Sequence, residues 1–143
     1  MTTVAQILKS KRDKTVYTIA PTASVLEAIK LMAEKNIGGL LVLEGGNVVG
    51  VVTERDLVRK AFLMAKSTQD TPVLEIMTSE VMYVSLERTS EECMALMTEN
   101  RFRHLPVLDQ GKLAGLVSIG DLVKDVISEQ KHIIEQLEHY IAG

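Results

Sequence analysis

The chain has 143 residues, a formal net charge of −3, and 46% hydrophobic against 24% charged residues. That balance describes a folded globule, either one compact domain or two small halves sharing a core, and excludes a disordered chain. The negative charge and the 3% aromatic content, without tryptophan, argue against a nucleic-acid backbone or stacked bases as partner.

No apolar run approaches the ~18 residues of a membrane span, and residues 1–10 lack the apolar stretch of a signal peptide. A cytoplasmic protein that does not enter membranes is the expectation. The single Cys93 allows no internal disulfide and no cysteine-only metal cage. It falls on an apolar helix face and reads as a small buried residue.

In chain order, Val4-Ala5-Gln6-Ile7-Leu8 opens the sequence and returns as Val73-Leu74-Glu75-Ile76-Met77. Lys11, Arg12, Asp13 and Lys14 follow as an insertion that the later copy lacks, three of them basic. Residues 15–19 form a short β-rich run, matched by 81–84. Val25, Ala28, Ile29 and Met32 then recur at helical spacing, with Ser24 as the start signal. Two apolar runs, 40–43 and 48–52, are joined by Glu44-Gly45-Gly46-Asn47, a hairpin turn that Asp109-Gln110-Gly111-Lys112 repeats. A second helix carries Leu57, Val58, Ala61 and Phe62 on one face.

The unit is thus β-α-β-β-α, and it occurs twice. Residues 15–60 align with 80–125 without a gap, each position returning 65 places later, as Asp56 does at Asp121. The expected organisation is an α/β (α+β) protein with a first unit at 4–65 and a polar linker at 66–72. A second unit spans 73–128, followed by a helical extension at 129–143. From Leu122 to Ile141 there is no Gly or Pro, and Val126, Ile127, Ile133, Ile134, Leu137 and Ile141 form an apolar stripe. That stripe either folds back on its own module or packs against a second chain, the second being the expectation.

The motif that carries chemistry is the strand end. Gly50-Val51-Val52-Thr53-Glu54-Arg55-Asp56 returns as Gly115-Leu116-Val117-Ser118-Ile119-Gly120-Asp121. Thr53-x-x-Asp56 and Ser118-x-x-Asp121 fit a capping box, which needs no ligand. Yet each sits where a strand gives way to a helix, with free N–H groups that stabilise an anion. A short carboxylate there can accept both hydrogen bonds of a vicinal diol. Both readings stay open at this point. His132 and His139 belong to a solvated helix face. His104 has no accompanying nucleophile or second acid, so no catalytic residue, no metal and no enzymatic activity are expected.

These residues, with Arg103-His104-Leu105-Pro106-Val107 and the Gly111 turn, resemble a tandem pair of cystathionine-β-synthase (CBS) domains, known as a Bateman module. The resemblance covers about residues 4 to 127. It implies two β-α-β-β-α repeats packed with pseudo-twofold symmetry around two clefts for adenosyl ligands: AMP, ADP, ATP, S-adenosylmethionine or NAD(H). Carried over, cleft one takes Thr53 and Asp56 with Arg103 and His104, and adenine contacts around Glu80 to Met82. Cleft two takes Ser118 and Asp121 with Ile37, Gly38 and Gly39, and adenine contacts around Thr15 to Tyr17. Lys11, Arg12 and Lys14 are candidates for its phosphate. The function implied is a stand-alone, non-enzymatic energy sensor that pairs into a homodimer and passes its ligand-driven change to a regulated protein. The rival reading is a dimerisation scaffold in which the two motifs are only helix caps.

Overall fold

The computed structural model describes residues 2–12 and 14–142. The chain divides into two compact units, and neither is a single repeat. One holds Thr15–Met82 with Gly111–Leu113. The other joins the N-terminal segment through Lys14 to Tyr83–Gln110 and to the chain from Ala114 onward.

In the first of these units, β1 (Thr18–Ile19) pairs parallel with β2 (Gly39–Glu44), and β2 pairs antiparallel with β3 (Asn47–Thr53). The β2–β3 turn places Gly45 and Gly46 at φ of 58° and 83°, the left-handed pair that a two-residue hairpin turn demands. Helix α2 (Val25–Lys35) starts at Ser24, whose hydroxyl accepts the Glu27 N–H while Glu27 reaches back, and it stops at left-handed Asn36. Its Val25, Ala28 and Met32 pack with Leu40, Val42, Val52, Ala61, Val73 and Ile76 into one core.

In the other unit, α4 (Ser90–Asn100) is capped the same way by Thr89 and Glu92, and lies with the β4 (His104–Asp109) and β5 (Lys112–Ser118) hairpin. Val84, Cys93, Met97, Leu105, Val107, Val117 and Leu122 are buried there, as are Val4 and Ile7 of α1 (Val4–Ser10). Burial pushes the Cys93 thiol above its ordinary range. Helix α5 (Ile119–Ala142) runs on for 24 residues.

The two leading segments are exchanged between the repeats, and the hydrogen bonds match pairwise. Val73 N–H donates to Ala23 C=O (2.7 Å) and Leu74 N–H to Pro21 C=O (3.0 Å). In the other unit Val4 N–H donates to Arg88 C=O (2.8 Å) and Ala5 N–H to Leu86 C=O (3.0 Å), the same positions one repeat away. Gly50 admits Met77, and Gly115 admits Leu8, because a Cβ at either glycine would meet those side chains.

Two expectations need correction. The first strand is only Thr18–Ile19, and in the second repeat it shrinks to one parallel bridge, Val84 to Val107. The cause is Pro106. Leu41 N–H donates to Tyr17 C=O (3.4 Å), but Pro106, its counterpart, has no N–H for the Met82 carbonyl. The second helix of repeat one is one α turn, α3 (Glu54–Asp56), continued as a π-helical stretch over Leu57–Phe62. Its face is also not wholly apolar core: Ala61 is buried, while Val58 and Phe62 are exposed. The stripe on α5 does not fold back: every described residue beyond Glu129 is exposed.

Candidate functional site

The end of β3 turns directly into α3, and this places Thr53 as the cap. Asp56 N–H donates to Thr53 Oγ1 (3.3 Å), while Asp56 Oδ2 accepts the Thr53 N–H (3.0 Å) and hydroxyl (3.1 Å). Asp56 Oδ1 accepts the Thr78 hydroxyl (3.1 Å) and faces the Lys60 ammonium at 3.4 Å. The residue is only 6% exposed, so this carboxylate is buried and fully partnered by its own chain. Nearby, Glu54 N–H donates to the Gly38 carbonyl (3.1 Å), tying the entry of β2 to the start of α3. Ile37 and Tyr17 are half-buried against the core, with the Lys35 ammonium 5.6 Å from the Tyr17 ring centre. Gly39 begins β2; Met82 is half-buried, and Thr15 and Glu80 are exposed.

The corresponding junction between β5 and α5 is built from fewer partners. Asp121 Oδ2 accepts the Ser118 N–H (2.8 Å), and Asp121 N–H donates to Ser118 Oγ (3.1 Å). The third partner is Lys11, whose ammonium lies 2.9 Å from Asp121 Oδ2 and donates to the Leu116 carbonyl at 2.9 Å. Partial burial raises the Asp121 pKa, but the Ser118 and Lys11 hydrogen bonds outweigh it and hold the carboxyl below its ordinary value. Ile119 N–H donates to Arg103 C=O (2.8 Å). His104, at the start of β4, is open to solvent along one side. Its ring is desolvated enough to titrate below the ordinary imidazole value, with Lys11 and Arg103 adding to the shift and Asp121 opposing it.

Lys11, Ser118 and Asp121 are thus brought together, with Arg103 and His104 in the same unit. Thr53, Asp56, Glu80, Met82, Thr15, Tyr17, Ile37, Gly38 and Gly39 belong to the other. Arg12 and Lys14 are exposed, and Asp13 of the insertion lies outside the described residues. Two partners escaped the sequence reading. Lys60 was legible, four residues after Asp56 on one helical face. Thr78 was not, because only tertiary structure brings it to Asp56. Among the described residues, no three His, Cys, Asp or Glu side chains cluster in a way that could hold a metal ion. No helix among them is long and apolar enough to cross a membrane.

With this geometry in hand, the comparisons converge. The CBS domain family profile matches residues 4–62 and 73–128. The mitochondrial CBS domain-containing protein CBSX3 of Arabidopsis thaliana is 36% identical, over 99% of this chain and 73% of its own. A solved protein with CBS domains from Burkholderia ambifaria is 60% identical and superposes with a TM-score of 0.85, covering 90% of this chain and 96% of its own. A crystal structure of CBSX2 in complex with AMP is 30% identical with a TM-score of 0.78, covering 91% of this chain and 99% of that one. Two duplicated junctions, an exchanged pair of leading segments and these matches lead to one conclusion: the chain belongs to the CBS-domain family and carries two copies of the domain in tandem.

Proposed function

We propose that this protein is a cytoplasmic, non-enzymatic regulatory module that binds an adenine nucleotide and relays its occupancy through a homodimer to a regulated protein. CBS-domain proteins are regulatory, and the observation that carries the ligand reading is the AMP complex of CBSX2, a relative along nearly the whole chain. AMP, ADP and ATP are the ligands of first choice, with NAD(H) and S-adenosylmethionine as further adenosyl compounds. In this reading Ser118 and Asp121, with Lys11 as the nearby cation, form the more adaptable site. Asp121 is held by the amide and side chain of Ser118 and one displaceable ammonium, whereas Asp56 is held by four groups. A ribose diol can replace an ammonium on a carboxylate, and the released Lys11 then carries its charge to phosphate.

The rival reading, a scaffold whose motifs are only caps, draws support from the closed capping box at Thr53 and Asp56. Thermal unfolding with a panel of AMP, ADP, ATP, NADH and S-adenosylmethionine separates the two. A ligand present at 100 times its Kd adds about 2.7 kcal/mol of stability. A scaffold melts at one temperature throughout, and that outcome ends the ligand reading.

A further inference from the structure

From Val123 onward, α5 carries a heptad pattern. Val123, Ile127, Gln130, Ile134, Leu137 and Ile141 follow one another at alternating steps of four and three residues. With Ile127, Ile134 and Ile141 at the a positions, the d positions are Val123, Gln130 and Leu137. The polar residues Ser128, Glu129, Glu135, Gln136, His132 and His139 then all fall on the outer b, c and f positions. The side of α5 that meets its own unit is a different one, through Leu122, Asp125, Val126 and Glu129. Thr2, for example, donates its hydroxyl to Glu129 (3.0 Å). The heptad seam is left uncovered. Val123 is 44% exposed, Ile127, Ile134 and Leu137 between 54% and 58%, and Ile141 82%.

We infer that this seam is covered by the same seam of a second copy, as a parallel two-stranded coiled coil extending beyond the CBS repeats. The five apolar seam residues with the flanking Ile133 and Tyr140 are all 44–85% exposed, a contiguous apolar strip of the kind that marks an interface. The side chains select the geometry. Isoleucine at every a position, with leucine at the d position 137, favours two parallel strands. Parallel pairing also sets Gln130 against its own copy, where the two amides can hydrogen-bond. An antiparallel pair would bury each Gln130 against Ile134. No like charges oppose each other across the flanks, because Lys124, Lys131 and Glu138 at e face Val126, Ile133 and Tyr140 at g. A helix end without tertiary packing is marginal in water, and mutual burial supplies what its own unit does not.

The inference deepens the homodimer part of the proposed function and is independent of its ligand part. Sedimentation equilibrium of the full chain, without nucleotide, across a concentration series tests it. The native chain should be a dimer. Leu137→Glu should keep the cooperative melt of the body and raise the dimer Kd about 30-fold or more. Ile141→Cys should form a disulfide-linked dimer on mild oxidation. In an antiparallel pair centred on 132 the two positions lie some 27 Å apart. A monomeric native chain overturns the inference, since the stripe would then have another occupant. A Leu137→Glu dimer of unchanged Kd overturns the extension as interface, and a dimer that fails to cross-link through Ile141→Cys overturns the parallel register. Nucleotide melts report on the ligand separately, so failure of either reading is recognisable alone.

Discussion

Replacing Asp56 with alanine should destabilise the unliganded protein more than the same change at Asp121. Asp56 closes the cap of α3, a term of about 0.5–2 kcal/mol. Its loss also removes the acceptor of the half-buried Thr78 hydroxyl and of the partly exposed Lys60 ammonium, which face Oδ1 at 3.1 and 3.4 Å. The Thr78 hydrogen bond to a carboxylate is worth about 1.5–3 kcal/mol and the solvent-screened Lys60 pair less than about 1 kcal/mol, so the expected total with the cap, discounted for partial exposure, is about 2–4 kcal/mol. Asp121→Ala removes one cap hydrogen bond and one partly exposed ion pair, and should cost about 1–2 kcal/mol. At about 3 °C per kcal/mol for a domain of this size, Asp56→Ala should melt about 6–12 °C below the native protein and Asp121→Ala about 3–6 °C below. Calorimetric melts of the two apo variants decide it. If Asp56→Ala melts within 2 °C of native, or if Asp121→Ala is the worse of the two, the reading of Asp56 as a structural carboxylate fails.

Lys11→Met should free Asp121 for a diol while removing a cation from phosphate. Adenosine affinity should therefore rise several-fold as ATP affinity falls, measured by titration calorimetry; parallel changes in both would refute the exchange. Gly50→Ala places a Cβ 2.5 Å from Met77 Sδ and 3.1 Å from the Thr78 backbone oxygen, and should cost about 1–3 kcal/mol in a denaturant melt. Gly115→Ala meets only the movable tip of Leu8 at 3.0 Å and should cost less. The pH dependence has two steps. His104 holds its proton less well folded than unfolded, so its contribution is complete above about pH 6.5 and declines as pH falls below that. Asp121 is depressed, so its contribution is complete above about pH 4 and is lost as pH falls through the folded value. His104→Gln should flatten the first decline in melting temperature, and Asp121→Asn the second.

Much of this architecture was legible because its signals are local. Ser24 with Glu27, the Gly45-Gly46 turn and the 65-residue repeat each act over a few residues, and the folded chain uses them as the pattern predicts. The capping geometry of Thr53 and Asp56 was legible too, but only as one of two alternatives. What escaped was set by tertiary placement or by a missing hydrogen-bond donor. Val81 to Val84 has the composition of a strand, yet Pro106 removes the N–H that would extend its pairing beyond Val84. Val58 and Phe62 have the helical spacing of a core face, but the chain over Leu57–Phe62 takes the wider π-helical turn and leaves both in solvent. Thr78 carried no signal, since its partner lies 22 residues earlier.

The two junctions began as copies, and the insertion at Lys11 explains why they no longer match. In one unit Thr78 does two jobs. Its N–H donates to the Val51 carbonyl (2.8 Å), and its hydroxyl donates to Asp56. The position equivalent to Val51 is Leu116, and there both jobs fall to a single ammonium: Lys11 donates to the Leu116 carbonyl and pairs with Asp121. The second prop of Asp56 is lost as well, because the position of Lys60 is taken by Asp125, an acid that cannot pair with Asp121. Asp56 is therefore held by the Thr53 amide and by the hydroxyls of Thr53 and Thr78, with the partly exposed Lys60 ammonium as a fourth contact. Asp121 depends on the tip of a flexible side chain whose other bond is to one carbonyl. The repeat supplies two equivalent carboxylates, and the four-residue insertion gives one of them a lysine partner in place of a threonine hydroxyl.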